Sequence, residues 1–322
     1  MKKIQRGFSL PARAITAVLV LLGLFSMAAM VRAGEWPGER TFLVGFAQDH
    51  MANDWRAAQV RDIEREFARY PFIRFVYTDA GGKTAQQVVD IENLRARGVD
   101  LLITSPRDAE AMAPVISSVY NAGIPVILLS RRTIGDDYSL FIGASNRRIA
   151  RQAADFFAER LHGKGRILVL QHIPTSTPGI DRTEGFREQL ANYPGIQIAA
   201  IKRADSLRHL AIRAVEEALA EGIEFDAIYA QSDSMATGAR IALKQAGRDP
   251  AAIPITGIDY IGEAREAIRA GKQAASFTYP TFGREGAEYA IRILRGETVP
   301  REVTVDSVMV TRDNVDAIEP IF

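Results

Sequence analysis

The sequence contains no cysteine among its 322 residues. This absence excludes disulfides, thiolate metal sites, a cysteine nucleophile and a lipid attached through cysteine at a processing site. Histidine is scarce, and its four copies show no metal-ligand spacing with one another: His50, His162, His172 and His209. There is no Gly-x-Ser-x-Gly elbow, and spacing indicates no serine–histidine arrangement. We therefore expect no metal, no cofactor and no catalysis.

Complete nucleotide-binding loops are also lacking. The stretch GGKT at 81–84 follows an apolar run and precedes a helical pattern, as a phosphate-binding loop does. That loop also requires a glycine five residues before its Gly-Lys step, and the residue there is Tyr77. The stretch GKGRIL precedes its strand instead of following it, so it does not match a dinucleotide fingerprint. We expect no nucleotide site.

Charge is absent from Ala14 to Val31, a mostly apolar run that follows the basic residues Lys2, Lys3 and Arg6. A basic start, an apolar run and the small-residue pattern ending at Ala33 predict a signal peptide, residues 1–33, cleaved near Ala33. The mature chain would then lie in the periplasm. An uncleaved membrane anchor is the alternative, since the uncharged run is close to the lower limit of about 17 residues for crossing a bilayer.

The excess of positive over negative charge comes from the same segment. Residues 1–33 hold five basic and no acidic side chains, so the formal charge of the chain changes from +1 to −4 without them. Nothing in the remaining sequence favours a nucleic-acid partner.

The remaining chain alternates apolar strands with helical stretches such as Trp55–Phe67 and Ile149–Leu161. Its strands are continuous apolar runs, which is typical of parallel strands covered on both faces: Phe42–Phe46, Leu101–Thr104, Val126–Leu129, Ile167–Leu170 and Ala227–Ala230. The order of elements also repeats, with 123 residues between Tyr70 and Tyr193. This alternation and repeat predict an α/β protein of two doubly wound parallel-sheet lobes.

Polar residues follow each apolar run, at the carboxyl ends of the predicted strands. Ligands of doubly wound sheets bind beyond these ends. The candidate positions are Gln48–Arg56, Ser105, Ser130–Arg132, Gln171–Arg182, Ser232, Asp233 and Asp259.

Several of these stretches together resemble the type I periplasmic sugar-binding proteins of ABC importers, of the ribose, galactose and galactofuranose type. The markers, in order, are GFAQ, NDWRAA, DAGGKTAQQVVDIENLRARGVDLLITSP, AGIPVILLSR, IDRTEGF, YAQSDSMATGA and TGIDY. The resemblance implies two lobes joined by a three-stranded hinge, with the ligand between them. The implied crossings lie near 142–145, 279–280 and 303–305. Lobe one would comprise 34–143 plus 280–303, and lobe two 144–279 plus 304–322.

The resemblance also implies binding roles at the positions that match. It assigns arginines of the site to Arg131 and Arg182 and carboxylates to Asp233 and Asp259. Three positions depart from the family: Ser130 stands where a carboxylate is usual, Ser232 where an asparagine is usual, and Tyr279 where a glutamine is common. The full predicted ligand-binding set is Gln48, Trp55, Arg56, Ser130, Arg131, Arg182, Ser232, Asp233, Asp259 and Tyr279.

These residue types suit a polyol. Arginine and aspartate can each engage neighbouring hydroxyls, while an aromatic ring such as Trp55 stacks on the C–H face. The arginines outnumber the carboxylates, more so with Ser130 in place of a carboxylate. A sugar acid is therefore an alternative to a neutral sugar or polyol. Trp55 and Tyr279 could also be packing residues, and Arg132 could pair at the surface with Asp136 or Asp137.

The predicted function is that of a monomeric periplasmic receptor delivering a sugar or polyol to the membrane subunits of an ABC permease. Docking on a chemoreceptor or a membrane histidine kinase is the alternative. The sequence does not distinguish the two roles, because both kinds of partner would recognise the closed form. DNA-binding repressors that share this core are disfavoured, since an export signal stands where their helix-turn-helix should be.

Overall fold

The computed structural model of this protein describes residues 40–322, so the predicted signal peptide lies outside the described residues. Strands and helices alternate through the first half: β1 Phe42–Gln48, α1 Asp54–Phe67, β2 Ile73–Asp79, α2 Thr84–Ala96, β3 Leu101–Thr104, α3 Ala113–Asn121, β4 Val126–Leu129 and β5 Leu140–Gly143. The second half continues with α4 Asn146–Arg160, β6 Gly165–Gln171, α5 Thr177–Leu190, β7 Ile196–Arg203, α6 Arg208–Ala220, β8 Ala227–Ala230, α7 Asp233–Gln245, β9 Ile255–Thr256, α8 Gly262–Arg269, β10 Ser276–Phe277, α9 Gly283–Leu294, β11 Glu302–Thr304 and β12 Met309–Val310.

Two parallel sheets organise these elements. The first has six strands in the order β11-β5-β4-β3-β1-β2, and the second has four in the order β7-β6-β8-β9. A short antiparallel pair, β10 with β12, stands beside them. We call the part around the six-stranded sheet lobe one and the part around the four-stranded sheet lobe two. The predicted α/β architecture of two doubly wound lobes is confirmed.

Strands β3, β4, β5 and β8 are buried along their whole length, as their continuous apolar sequences predict. In lobe two, α4 packs with α5 on one face of the sheet and α6 with α7 on the other. The Phe186 ring stacks on Tyr229 at 4.3 Å between centroids, which anchors the first of these layers. The sheets are therefore held rigidly enough to present their carboxyl ends as a fixed surface.

Helix α9 lies against α1 in lobe one although more than 200 residues separate them. Gly283 permits this approach, because a Cβ there would lie 2.7 Å from the carbonyl oxygen of Gln59. This packing is compatible with the predicted crossing between the lobes near Tyr279.

Strand β11 pairs with β5 in the sheet of lobe one, and Val305 N then donates to the Gly143 carbonyl at 2.8 Å. Thr304, the last residue of β11, lies one residue beyond the predicted boundary at 303. The predicted division into lobes stays a prediction, and these strand pairings are compatible with three crossings. None of the helices within residues 40–322 is both long and apolar enough to cross a bilayer.

Candidate functional site

A polar cavity lies between the lobes, where the loops after β1, β4, β6, β7, β8 and β9 meet. Its lining residues are His50, Asn53, Trp55, Arg56, Ser130, Arg131, His172, Pro178, Arg182, Ser206, Ser232, Asp259 and Tyr279. The cavity measures about 20 Å³, which is room for about one water molecule. A sugar ring is larger, so binding requires the lobes to part or the lining side chains to turn outward.

Eight of the ten predicted ligand-binding residues border this cavity: Trp55, Arg56, Ser130, Arg131, Arg182, Ser232, Asp259 and Tyr279. Gln48 and Asp233 do not border it. Both are fully buried and are engaged by other protein groups.

Gln48 supports the start of α1 from behind the cavity. Its amide nitrogen donates to Gln59 Oε1 at 3.1 Å, and its amide oxygen accepts from the Asp49 backbone at 3.0 Å. The side chain therefore helps to fix the first turn of α1, which carries Trp55 and Arg56.

Asp233 links the first turn of α7 to the strands beside it. Its carboxylate accepts from Gln273 Nε2 at 2.7 Å, from Ser276 Oγ at 2.6 Å and from the Tyr260 backbone at 2.6 Å. Burial raises the pKa of Asp233, and these three donors oppose the rise. With both oxygens engaged, the carboxylate acts in this arrangement as a cross-link within lobe two.

Arg182 is held rigidly on α5 with one edge towards the cavity. Its Nε donates to Asn146 Oδ1 at 2.9 Å and its Nη1 to the Gln231 carbonyl at 2.5 Å. Its guanidinium lies 4.7 Å from the centre of the Tyr279 ring, a cation–π contact that fixes the guanidinium plane.

Trp55 and Tyr279 form an aromatic wall. Their ring centroids lie 5.9 Å apart, and Trp55 Nε1 donates to the Tyr279 carbonyl at 2.9 Å. The Tyr279 hydroxyl lies between Asn146 Nδ2 and the Ser130 carbonyl, at 3.3 and 3.4 Å. The predicted alternatives of packing and ligand contact are compatible here, since both rings pack in the seam and also line the cavity.

Asp49 lies in the candidate stretch 48–56 but was not in the predicted ligand-binding set, and it stands among the arginines of the site. It is fully buried, with Oδ2 2.7 Å from Arg131 Nη1 and Oδ1 3.5 Å from Arg56 Nε. Burial alone raises the pKa of Asp49, but Arg131 and Arg56 outweigh it and hold the pKa well below its usual range. Burial and then repulsion from Arg131 lower the pKa of Arg56 to about 9.

The charge count made from the sequence changes accordingly. Ser130 does not leave Arg131 unpaired, because Asp49, in the loop that follows β1, provides the carboxylate. Arg132 does not border the cavity. It pairs with Glu302 at 2.7 Å on the partly exposed side of β4, so Glu302 takes the place of the expected partners Asp136 and Asp137.

His50 and His172 also line the cavity; both lie in the candidate stretches 48–56 and 171–182 but were not in the predicted ligand-binding set. Ser176 Oγ donates to the Ile173 carbonyl at 2.8 Å and lies 3.1 Å from His172 Nδ1, so Nδ1 carries the proton and donates to Oγ. His172 Nε2 then accepts from Arg131 Nη2 at 3.4 Å. Burial, reinforced by the neighbouring arginines, lowers the pKa of His172 well below its usual value.

Asp259 turns its carboxylate to the cavity. Burial raises the pKa of Asp259 well above its usual value, and the positive charge of Arg182 opposes the rise. Within residues 40–322 no side chain donates a hydrogen bond to this carboxylate, although the Asp233 backbone N–H does, and its remaining lone pairs can accept from hydroxyl groups.

Backbone strain is concentrated around the cavity. Ser130, Ser206 and Asp259 have φ values of 62°, 62° and 122°. Residues other than glycine rarely adopt positive φ values of this kind. All three border the cavity. Strain of this kind persists where the surrounding packing imposes it, as is common at ligand sites.

Several hydrogen bonds join the lobes around the cavity. Asn53 Nδ2 donates to the Ser206 carbonyl at 2.7 Å, and Arg107 Nη2 reaches Asp205 Oδ2 at 3.1 Å. These contacts connect loops of lobe one with loops of lobe two, so the structure is a closed form. No cluster of three or more potential metal ligands occurs within residues 40–322.

Several known proteins are similar to this chain. Residues 44–298 match the family model described as a periplasmic binding protein domain. The ribose import binding protein of Salmonella typhimurium is 28% identical over 74% of this chain and 80% of that protein.

Two solved structures are also similar. The fructose-binding periplasmic domain of the hybrid two-component system BT1754 is 33% identical, with a TM-score of 0.81 over 86% of this chain and 92% of that one. An ABC transporter solute-binding protein from Bacillus halodurans C-125 with bound myo-inositol is 26% identical, with a TM-score of 0.82 over 87% and 98%. The chain therefore belongs to the periplasmic binding proteins, a family of solute-binding proteins and not of enzymes, and within it to the type I ribose and galactofuranose group.

Proposed function

We propose that this protein captures a sugar or a related polyol in the cavity between its lobes and delivers it to the membrane subunits of an ABC permease. The observation that carries the proposal is the polar cavity between the lobes, in which an aromatic wall, the guanidiniums of Arg56, Arg131 and Arg182 and the Asp259 carboxylate border one space. The similar proteins that bind ribose, fructose and myo-inositol support the same ligand class.

The site matches a hydroxylated ring in both hydrogen-bonding directions. A hydroxyl can donate to the Asp259 carboxylate, while its oxygen accepts from Arg56 or Arg182. The C–H face of the ring can lie against Trp55, which borders the cavity with the Arg56 guanidinium 4.8 Å from its centre. Closure would remove water from these contacts and strengthen them.

We propose a neutral ligand as the main case. Asp49 and Asp259 stand against Arg56, Arg131 and Arg182 at the site. This count is nearer to balance than the sequence suggested, because the ion pair of Asp49 with Arg131 was not foreseen. One positive charge remains in excess, so a sugar acid is retained as the alternative.

A thermal-shift screen followed by isothermal titration calorimetry tests the ligand class. The panel contains D-ribose, D-fructose, D-galactose and myo-inositol, together with D-galacturonate as the acidic match of D-galactose. We expect at least one neutral compound to raise the melting temperature and bind with a dissociation constant below about 10 µM. Binding of D-galacturonate alone would support the sugar-acid alternative. A flat response to the whole panel would contradict the proposal.

A sensing role is the second candidate. The fructose-binding domain of a hybrid two-component system is similar over 86% of this chain. Deletion of the gene separates the two roles. Loss of uptake of the radiolabelled ligand supports import, whereas normal uptake with loss of ligand-induced transcription supports sensing.

We also propose that the protein is exported and cleaved near Ala33. The family places such proteins in the periplasm. Intact-mass analysis of the protein from a periplasmic extract tests the cleavage site, since a mature chain would begin near Gly34. A full-length chain in the membrane fraction would instead support the anchor.

A further inference from the structure

The Asp49 carboxylate lies behind two arginines that border the cavity, Arg131 and Arg56. Asp49 is fully buried and does not border the cavity. Its Oδ2 lies 2.7 Å from Arg131 Nη1 and 3.5 Å from Arg107 Nη1, and its Oδ1 lies 3.5 Å from Arg56 Nε. Both oxygens therefore face guanidiniums.

Arg56 and Arg131 depend on this carboxylate in different ways. Arg56 has further partners, with Nη1 2.7 Å from Ser105 Oγ and 3.3 Å from Gln59 Oε1. Arg131 has only His172 Nε2 at 3.4 Å besides Asp49 among the described residues, and its Nε has no hydrogen-bond partner there. Since Arg131 is 1% exposed, water cannot replace the missing partner. Asp49 is thus the main group that fixes the position of the Arg131 guanidinium.

Asp49 also separates two like charges. Arg56 and Arg131 border the same cavity and face the same carboxylate, so their positive charges repel each other; this repulsion adds to burial in lowering the pKa of Arg56. A carboxylate between them allows both to remain charged and to approach the same cavity. Without it, one guanidinium must move away or lose its proton.

We propose that Asp49 is a positioning residue that holds Arg131 and Arg56 in place as hydrogen-bond donors to the ligand, without contacting the ligand itself. Its effect on affinity rests on the proposed function, whereas its effect on the two guanidiniums does not. The experiment therefore has one arm without ligand and one arm with ligand.

The arm without ligand uses NMR of arginine guanidiniums in the mature protein. A guanidinium held by an ion pair rotates slowly about its Cζ–Nε bond and gives separate Nη signals, whereas a free one gives averaged signals. Signals of Arg131 and Arg56 are assigned from Arg131→Lys and Arg56→Lys. We expect separate Nη signals for Arg131 and Arg56 in the wild type and averaged signals for Arg131 in Asp49→Asn.

The matched control is Asp205→Asn. Asp205 is also a buried carboxylate paired with arginines, namely Arg107 and Arg203, but it contacts neither cavity arginine. The Arg131 signals should stay separate in this variant. Averaging in both variants would show a general loosening of the fold and would overturn the proposal, as would separate Arg131 signals in Asp49→Asn.

The arm with ligand measures binding of D-fructose and myo-inositol by calorimetry. For whichever binds the wild type, we expect Asp49→Asn to weaken affinity at least tenfold. Asp49→Glu keeps the charge and should keep the Arg131 signals separate with a smaller loss; it also serves if Asp49→Asn does not fold. An affinity of Asp49→Asn within threefold of the wild type would refute the positioning role. If neither compound binds the wild type, the other compounds of the panel are measured in the same way; if none of them binds, the proposed ligand class fails while the NMR arm still decides the role of Asp49.

Discussion

Asp259 shows how one side chain can favour binding at the expense of stability. Its carboxylate is buried beside the cavity, and burial raises its pKa well above the usual value. A carboxyl group whose pKa is higher in the folded than in the unfolded state destabilises the fold once pH rises above the unfolded value of about 3.9. The same available carboxylate is the natural acceptor for ligand hydroxyls.

We expect Asp259→Asn to raise stability and lower affinity. Removing the buried charge should raise the melting temperature at pH 7.5, by ~2–4 °C for each kcal/mol gained in a protein of about this size. Affinity for the neutral sugar found in the panel should fall at least about tenfold, since a hydrogen bond to a charged group contributes about 1.5–3 kcal/mol. Differential scanning calorimetry and titration calorimetry measure the two effects. A lower melting temperature with unchanged affinity would be incompatible with this role.

His172 should make stability depend on pH. Its pKa in the folded protein is well below the usual value because of burial. As pH falls below about 6.5, the unfolded chain binds a proton that folded His172 does not, so stability decreases. We expect the melting temperature of His172→Gln to fall less between pH 7.5 and pH 5.5 than that of the wild type. Exposed His209→Gln is the control and should keep the wild-type slope. An unchanged slope in His172→Gln would refute the assignment.

At the residue scale, parallel topology accounts for predicted residues that border the cavity, whereas partners from distant strands leave no signal in the sequence. Ser130, Arg131 and Asp259 follow β4 and β9 closely, so their place at the cavity follows from parallel topology. The pairing of Asp49 with Arg131 joins positions 82 residues apart, and no local pattern shows which of several polar residues after β1 will turn inward. Gln48 ends β1 and Asp233 follows β8 closely, but hydrogen bonds within their own lobes occupy both side chains.

At the scale of elements, the start of α7 is tied to the neighbouring strands. Ser232 caps the helix, with its Oγ accepting from the Met235 backbone at 3.3 Å, while Asp233 bonds across to β10 through Ser276. Gly257 leaves the space for this link, because a Cβ there would lie 1.8 Å from Asp233 Oδ1. The close approach of the Asp233 carboxylate to residue 257 depends on glycine at that position, because glycine has no side chain.

We therefore expect Gly257→Ala to destabilise the protein by about 1–3 kcal/mol, the usual cost of forcing an extra methyl group into a packed site. Gly262→Ala at the start of α8 is the matched control, since its nearest neighbour is the Phe322 carbonyl oxygen at 3.2 Å. Its effect should stay within ~0.5 kcal/mol, as for most surface changes. Urea unfolding measures both. Equal stabilities of the two variants would show that Asp233 is not packed against this glycine.

Element types could be predicted from apolar runs, because buried parallel strands have a distinctive sequence. The strands β9 to β12 are only two or three residues long, and their pairing depends on the chain crossing between lobes. Such short pairings leave little pattern in the sequence. The predicted positions of the crossings between lobes came from the resemblance to a family and not from periodicity.

On the scale of the whole molecule, closure is held by contacts outside the cavity as well as around it. Arg107 lies 3.5 Å from Asp49 in lobe one and 3.1 Å from Asp205 in lobe two. Its side chain is 11% exposed, so this pair is better shielded than a surface ion pair. The bond exists only when the lobes approach, which makes it a contribution to the closed form.

We expect Arg107→Gln to weaken binding by roughly 2–20-fold, mainly through faster dissociation, because the closed form loses a contact that the open form never had. The control is Arg203→Gln, whose arginine pairs with the same Asp205 but within lobe two. Stopped-flow dissociation of the panel sugar measures the effect. Equal dissociation rates for Arg107→Gln and Arg203→Gln would exclude a contribution from the bond between lobes.

Trp55 offers the most direct test of the claim that the cavity between the lobes is the ligand site. The chain has two tryptophans, so in a Trp36→Phe background the fluorescence reports on Trp55 alone. We predict a saturable change in emission with a neutral sugar or polyol of the panel, with a midpoint equal to the calorimetric dissociation constant, and its loss in Arg182→Gln. A compound that binds by calorimetry while Trp55 emission stays constant would place the ligand elsewhere and contradict the account.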